Sequence, residues 1–306
     1  MNRVLVTGGT GFVGRQTVKA VKGLVDSHKW EVHVLGRNLL PSSDELFGQC
    51  VHHVVDLFDH QDVKDLLRAV QPTRLLHSAW NTEPGYWTTP ENIQWVESSL
   101  NLVQAFARYG GKRIVCVGTC AEYSSSGGVC HDEHSSPDPS TPYGKSKDAL
   151  RRVLEWWSTG AGVPMAWARL FLLHGPHEKE GRLVSSVCRS LLRGEPTKCG
   201  SGKPWRDLMH VEDAGRALAT VLGSDLTGAV NIGSGMGVTI RTVVEKLAAI
   251  AGRPELAQFG FFPDGPNEPP LLVADVSRLR ELGFEAKYSL DSGLEASFDW
   301  WKGKVS

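Results

Sequence analysis

The chain has 306 residues, of which 41% are hydrophobic and 22% charged, and its formal net charge is −1. This is near the globular average, so disorder is not expected, and a balance so close to neutral excludes a field suited to grasping nucleic acid or an anionic membrane. No eighteen-residue apolar run and no leader-like N-terminus are found, so a cytoplasmic protein without a membrane span is expected.

In chain order, Val4–Thr7, Val32–Leu35, His53–Val55, Arg74–His77, Arg113–Val117 and Met165–Leu170 read as strands. They are short and rich in Val, Ile and Leu, as strands covered on both faces are. Between them, Phe12–Ser27, Gln61–Val70, Asn92–Tyr109 and Tyr143–Thr159 read as helices. Such alternation predicts a doubly wound parallel α/β sheet. After Gly175 the rhythm breaks into helices over Gly181–Arg193, Val211–Leu222 and Ile240–Ala251, with loops at Gly200–Trp205 and Pro263–Pro270. The expected division is a dinucleotide-binding domain over 1–172 and a smaller C-terminal α/β lobe over 173–306. That lobe is expected to lack a complete sheet of its own and to interchange segments with the first. The scattered cysteines Cys50, Cys116, Cys120, Cys130, Cys188 and Cys199 form no C-x-x-C pair. They predict a reducing compartment and no metal site.

Gly8-Gly9-Thr10-Gly11-Phe12-Val13-Gly14 lies between the first strand and the first helix, the context a dinucleotide fingerprint requires. Gly8 would make the tight turn, Gly11 would admit a pyrophosphate to the backbone, and Gly14 would let helix and strand pack closely. The helix N-terminus, with Thr10, Phe12 and Val13 around it, would present free N–H groups to phosphate. The fold expected is Rossmann-type.

The spacing is T-G-x-x-G-x-x-G. Further stretches follow in order: Asp56-Leu57, His77-Ser78-Ala79, Gly118-Thr119, Tyr143-Gly144-Lys145-Ser146-Lys147, Leu173-His174-Gly175-Pro176, Arg206-Asp207 with His210-Val211-Glu212-Asp213, and Asn231-Ile232-Gly233-Ser234-Gly235. The ordered set resembles the extended short-chain dehydrogenase/reductase superfamily, in its nucleotide-sugar epimerase/dehydratase branch, along nearly the whole chain. The resemblance implies that Asp56 accepts from the adenine amino group, with a helix N-cap as the other reading. It also implies that Leu57 and Ala79 line the cofactor and that Lys147 holds the nicotinamide ribose. Users of NAD place an acid at the end of the second strand. Here Gly36 takes that slot and Arg37 follows, which favours a 2′-phosphate and hence NADP(H), with NAD(H) as the other possibility.

Tyr143 and Lys147 lie four apart on one helix face. An ammonium there lowers a tyrosine's pKa by favouring its anion, so Tyr143 would exchange a sugar hydroxyl's proton while the nicotinamide exchanges hydride. Thr119 would orient the substrate oxygen. Dehydratases of this group carry adjacent Asp and Glu after that threonine, whereas this chain has Cys120 and Ala121. The favoured expectation is therefore NADPH-dependent reduction of a nucleoside-diphosphate 4-ketohexose. The alternative is an epimerase or dehydratase with tightly bound NAD, and a further alternative is a non-catalytic NADP sensor. Candidate substrate contacts are Thr82, Cys120, Glu122, His174, Arg182 and Arg206, with the two arginines aimed at the diphosphate; for Glu122 local capping is an equal reading. Trp80, Tyr86 and Trp87 either line the sugar pocket or fold their own loop, and His174 and His177 are acid/base candidates. The resemblance further implies a homodimer through a four-helix bundle built on Asn92–Tyr109 and Tyr143–Thr159, where Trp95, Trp156 and Trp157 offer apolar area.

Overall fold

A computed structural model describes residues 2–28, 30–38, 46–48, 50–123, 128–263, 265 and 268–305. In chain order the elements are β1 (Asn2–Thr7), α1 (Phe12–His28), β2 (Trp30–Gly36), β3 (Val51–Val54), α2 (His60–Val70), β4 (Arg74–His77), α3 (Glu91–Arg108) and β5 (Arg113–Thr119). There follow β6 (Gly128–Cys130), α4 (Pro142–Ala161), β7 (Met165–Leu170), β8 (Leu172–His174), α5 (Leu183–Leu192), β9 (Thr197–Lys198), β10 (Trp205–His210) and α6 (Val211–Gly223). The chain finishes with β11 (Gly228–Ile232), β12 (Gly237–Thr239), α7 (Ile240–Ile250), β13 (Ala257–Gln258), β14 (Leu271–Ala274), α8 (Ser277–Glu281) and α9 (Leu290–Lys302). Among the described residues no helix is long and apolar enough to cross a membrane.

Two compact units result. The first comprises Met1–Ser124, Ser136–Arg169 and Gly215–Val230; the second comprises Ser125–Ser135, Leu170–Ala214 and Asn231–Ser306. The first carries a seven-stranded sheet of order β11-β7-β5-β4-β1-β2-β3, in which β3, β2, β1, β4 and β5 pair in parallel. Strand order reverses between β1 and β4, and ligands of open α/β sheets bind at such a switch point. Leu5, Leu75, Leu102, Phe106, Ile114, Leu150, Leu154 and Trp167 form its core. Burying each contributes about 1.5–3 kcal/mol.

Two arginines of this unit find backbone acceptors, since an unpaired buried donor costs free energy. Arg113 is buried and donates through Nη2 to the carbonyls of Val221 at 3.0 Å and Leu226 at 2.5 Å. Arg74 Nη1 donates to Leu222 O at 2.6 Å.

The second unit corrects an expectation. It has its own five-stranded sheet, of order β12-β10-β14-β6 with β8 on β10. These strands are short, three of them of only three residues, and the longest, β10, reads Trp-Arg-Asp-Leu-Met-His with charge among apolar residues, so no sustained alternation or apolar run marks the sheet. Val187, Leu208, Val244, Leu247, Leu294, Phe298 and Trp301 fill its core. Helix α9, on which Leu294, Phe298 and Trp301 lie, is started by Ser289, whose hydroxyl accepts from Ser292 N.

Candidate active site

The glycine turn is shaped by close approach. Gly8 has φ +67°, and a Cβ there would lie 2.7 Å from Ala79 N at the end of β4. A Cβ on Gly14 would lie 2.0 Å from Gly8 O. Gly11 is exposed, and the carbonyl of Gly8 at 3.3 Å is all a Cβ there would meet. The turn therefore leaves bare backbone facing out at the switch point, with Thr10, Phe12 and Val13 half-buried around it, and the cradle fits a dinucleotide pyrophosphate. Leu57 is buried in the core. Asp56 is exposed and accepts from Phe58 N at 3.0 Å. The N-cap reading of Asp56 is corrected, because Asp59 caps α2 by accepting from Gln61 N and Asp62 N.

At the end of β2, a Cβ on Gly36 would make ordinary contact with Thr10 at 3.4 Å and His52 Nε2 at 3.6 Å. Arg37 is exposed.

The chemical groups meet where β5 runs into a short turn over Cys120–Glu122 and α4 begins. Thr119 ends β5 and caps that turn, accepting from Ala121 N at 3.2 Å. Thr141 caps α4 and Pro142 opens it, so Tyr143 lies in the first turn. Thr119 stands near the Tyr143 hydroxyl and favours its ionised form. Lys147 Nζ donates to Val117 O at 2.9 Å and lies 3.8 Å from the Trp80 ring centroid. Tyr86 and Trp87 pack edge-on against Tyr143 at 4.9 and 5.5 Å, and Tyr143 N donates to Trp87 O at 3.1 Å.

This enclosure sets the titration. Burial first, and Tyr86 next, push Tyr143 above the ordinary phenol range, against the effect of Thr119. The expected lowering of Tyr143 by Lys147 is corrected: burial raises the phenol instead. Burial pushes Lys147 down to about 8, opposed by Glu122 and Cys116.

A glycine cradle, a threonine–tyrosine contact and a lysine one turn on now stand together. The chain matches the NAD dependent epimerase/dehydratase family over residues 4–233. It belongs to that family. It is 24% identical to a UDP-glucose 4-epimerase of Halalkalibacterium halodurans over 98% of this chain and 95% of the relative. It is 27% identical to a dTDP-glucose 4,6-dehydratase of Xanthomonas campestris, over 97% and 92% respectively. The solved UDP-glucose 4-epimerase of Thermus thermophilus in complex with NAD is 26% identical, with a TM-score of 0.84 over 98% of this chain and 99% of that one. The chain is accordingly an enzyme of the short-chain dehydrogenase/reductase type.

Of two expected substrate contacts in this epimerase/dehydratase-family enzyme, Glu122 follows its other reading, a local cap, and His174 is turned into the core of its unit. Glu122 is fully buried, and its carboxylate takes N–H bonds from Thr119 at 2.8 Å, Trp167 at 2.9 Å and Arg169 at 2.8 Å. A carboxylate so enclosed has no face for a sugar. His174 is buried within the second unit, its Nδ1 is 2.9 Å from Ser297 Oγ, and burial holds it near 3, where it is neutral.

The other candidates fall in their own units. Thr82 and Cys120 are half-buried in the first. In the second, Arg206 is buried and binds Glu268 at 2.5 Å and Pro269 O at 2.8 Å, while Arg182 is half-buried at the start of α5. His177 has φ +68° and packs on Trp300. Among the described residues no cluster of three His, Cys, Asp or Glu is placed to hold a metal.

The contribution of Trp167 and Arg169 beneath Thr119 is absent from the sequence reading. A signal existed: an arginine in the otherwise apolar strand Met-Ala-Trp-Ala-Arg-Leu needs a buried carboxylate opposite it.

Proposed function

We propose that the protein is a nucleoside-diphosphate-hexose 4-epimerase that retains NAD, with Tyr143 as the proton-transferring group, Thr119 orienting the sugar oxygen and Lys147 holding the nicotinamide ribose. The observation that carries it is the makeup of the Thr119 corner. The hydroxyl pair and lysine needed for oxidation and re-reduction of one carbinol are present. The two positions where a dehydratase needs an acid and a base hold Cys120 and Ala121, and Glu122 is turned inward on Arg169.

Bound NAD supplies a hydride acceptor and, once reduced, a hydride donor. The chain's own residues do the rest. Gly8, Gly11 and Gly14, with the N-terminus of α1, hold the pyrophosphate. Tyr143 Oη, ionised when it acts as the base, takes the proton of the sugar hydroxyl and returns it. Thr119 Oγ1 keeps that oxygen against Tyr143, and the Trp80, Tyr86 and Trp87 rings exclude water. Asp56, Leu57 and Ala79 complete the adenosine side. Thr82 and Cys120 border the sugar, and Arg182 and Arg206 are the cations offered to the diphosphate, Arg206 by exchanging Glu268 for phosphate oxygens. A homodimer through α3 and α4 belongs to the same proposal.

One observation favours a second reading. Gly36 with Arg37 removes the acid that holds an unmodified ribose, as a 2′-phosphate requires, and supports NADPH-dependent reduction of a 4-ketohexose. Mass spectrometry of the cofactor released from freshly purified, denatured protein separates the two. Near-stoichiometric NAD is the expected result. An empty site, or one holding NADP(H), would replace the epimerase by the reductase.

A further inference from the structure

Beneath the corner lies a charge that no substrate reaches. Glu122 and Arg169 are 0% and 1% exposed. Glu122 Oε1 accepts from Thr119 N at 2.8 Å, both its oxygens lie 2.9 Å from Trp167 Nε1, and Oε2 accepts from Arg169 Nε at 2.8 Å. Arg151 Nε stands 4.0 Å from Oε2 but is committed to Asp148 and Glu155. Arg169 Nη1 donates to the Tyr123 hydroxyl at 3.1 Å, and its guanidinium lies 4.7 Å from the Tyr123 ring centroid. A Cβ on Gly118 would fall 2.1 Å from Trp167 Nε1 and 2.6 Å from Glu122 Oε1. The last residue before Thr119 is therefore a glycine because this assembly passes under it.

We infer that Glu122 is a positioning residue for the reaction: bonded to the Thr119 amide and held in turn by Trp167 and Arg169, it fixes where Thr119 stands beside Tyr143. Its carboxylate also favours the ammonium form of Lys147. The inference rests on the reading of Tyr143 and Lys147 given above. Burial pushes Glu122 up, but the groups bonded to its oxygens are N–H donors, and a proton on either oxygen would displace one of them, so the carboxylate is ionised. The titratable groups around Lys147 are His77 from β4, Cys116 from β5, Tyr143 from α4 and Glu122. Burial holds His77 near 3 and Cys116 near 12, both neutral at pH 7, and holds Tyr143 protonated. Glu122 is then the anion acting on the lysine.

The test uses Glu122→Gln, of the same shape, and the double variant Glu122→Gln/Arg169→Gln, which avoids a lone buried guanidinium. Lysine side chains carrying 13C are titrated by NMR in the full-length protein, with the Lys147 signal assigned by its loss in Lys147→Met. Lys147 should deprotonate at lower pH in both variants, by roughly half a pH unit or more. No sugar enters this measurement, so a failure of the epimerase reading leaves it intact. With a turned-over nucleotide sugar, kcat should fall roughly tenfold at nearly constant KM, and its alkaline limb should move to lower pH. Folded variants with wild-type kcat and an unshifted Lys147 would overturn the inference. Loss of folding in both variants would also overturn it, by assigning Glu122 to structure alone.

Discussion

At the residue scale, the hydroxyl of Tyr143 is the smallest change that separates binding from chemistry. Tyr143→Phe keeps the ring that Tyr86 and Trp87 pack against and removes the hydroxyl near Thr119. With the proposed proton-transferring hydroxyl gone, turnover should fall by about 10²–10⁴-fold, the usual worth of a positioned acid or base, while cofactor content per chain stays at the wild-type value; full activity would sink the mechanism. Gly14→Ala tests the cradle instead. In most helix interiors alanine is better than glycine by about 1 kcal/mol. Here the new Cβ would meet Gly8 O at 2.0 Å, and overpacking of this kind costs about 1–3 kcal/mol. The variant should lose cofactor and melt earlier, read by released cofactor and by circular dichroism.

At the scale of elements, His77 holds three of them together. Its Nδ1 lies 2.7 Å from Thr7 Oγ1 on β1, and its Nε2 lies 2.8 Å from Ser99 Oγ on α3. Burial holds it down to about 3, well below the ~6.5 of an unfolded chain. Between those values the unfolded state binds the extra proton, so the contribution is complete above pH 6.5 and is lost as pH falls. His174, also held near 3, adds the same sign in the second unit. At about 1.36 kcal/mol per pH unit, each costs roughly 2 kcal/mol by pH 5. Melting temperature should be flat above pH 7 and fall below 6.5, and His77→Gln should flatten that acid limb. The same elements show what local pattern reveals. Six of the seven strands of the first sheet are legible from their apolar runs, β11 being left out and the edge strand β3 half-exposed, and the glycine turn and Tyr143–Lys147 pair because their spacing is local. The second sheet is not, since β8 and β10 carry His174, Arg206 and Asp207 among apolar neighbours. The capping by Glu122 is legible because it is local, whereas its partner Arg169, 47 residues away, is not; the cap offered for Asp56 falls to Asp59 three residues on.

For the whole molecule, the apolar side chains left outside bear on assembly. Ile93 on α3 and Val153 and Trp156 on α4 are 71%, 45% and 78% exposed, and Val153, Trp156 and Ala149 share one helical stripe. Trp95 does not join them, being buried and bonded to Glu91 at 3.0 Å, and Trp157 packs partly against the core. If α3 and α4 form the proposed dimer, Trp156→Glu should convert it to a monomer in light scattering after size exclusion, with the melting curve of the isolated chain little changed. A monomeric wild type would remove the four-helix bundle from the proposal.

The first unit is assembled from three separate stretches of chain, and its last stretch begins at Gly215. On a ribosome, Arg113 leaves the exit tunnel more than a hundred residues ahead of the Val221 and Leu226 carbonyls that receive its guanidinium. Arg74 waits longer still for Leu222. Until then the nascent sheet also lacks β11, leaving β7 as an open border. The nucleotide-binding half is thus obliged to finish late, and a messenger truncated before codon 226 would yield a cofactor cradle whose supporting sheet has an unsealed edge, a natural substrate for chaperones and proteases.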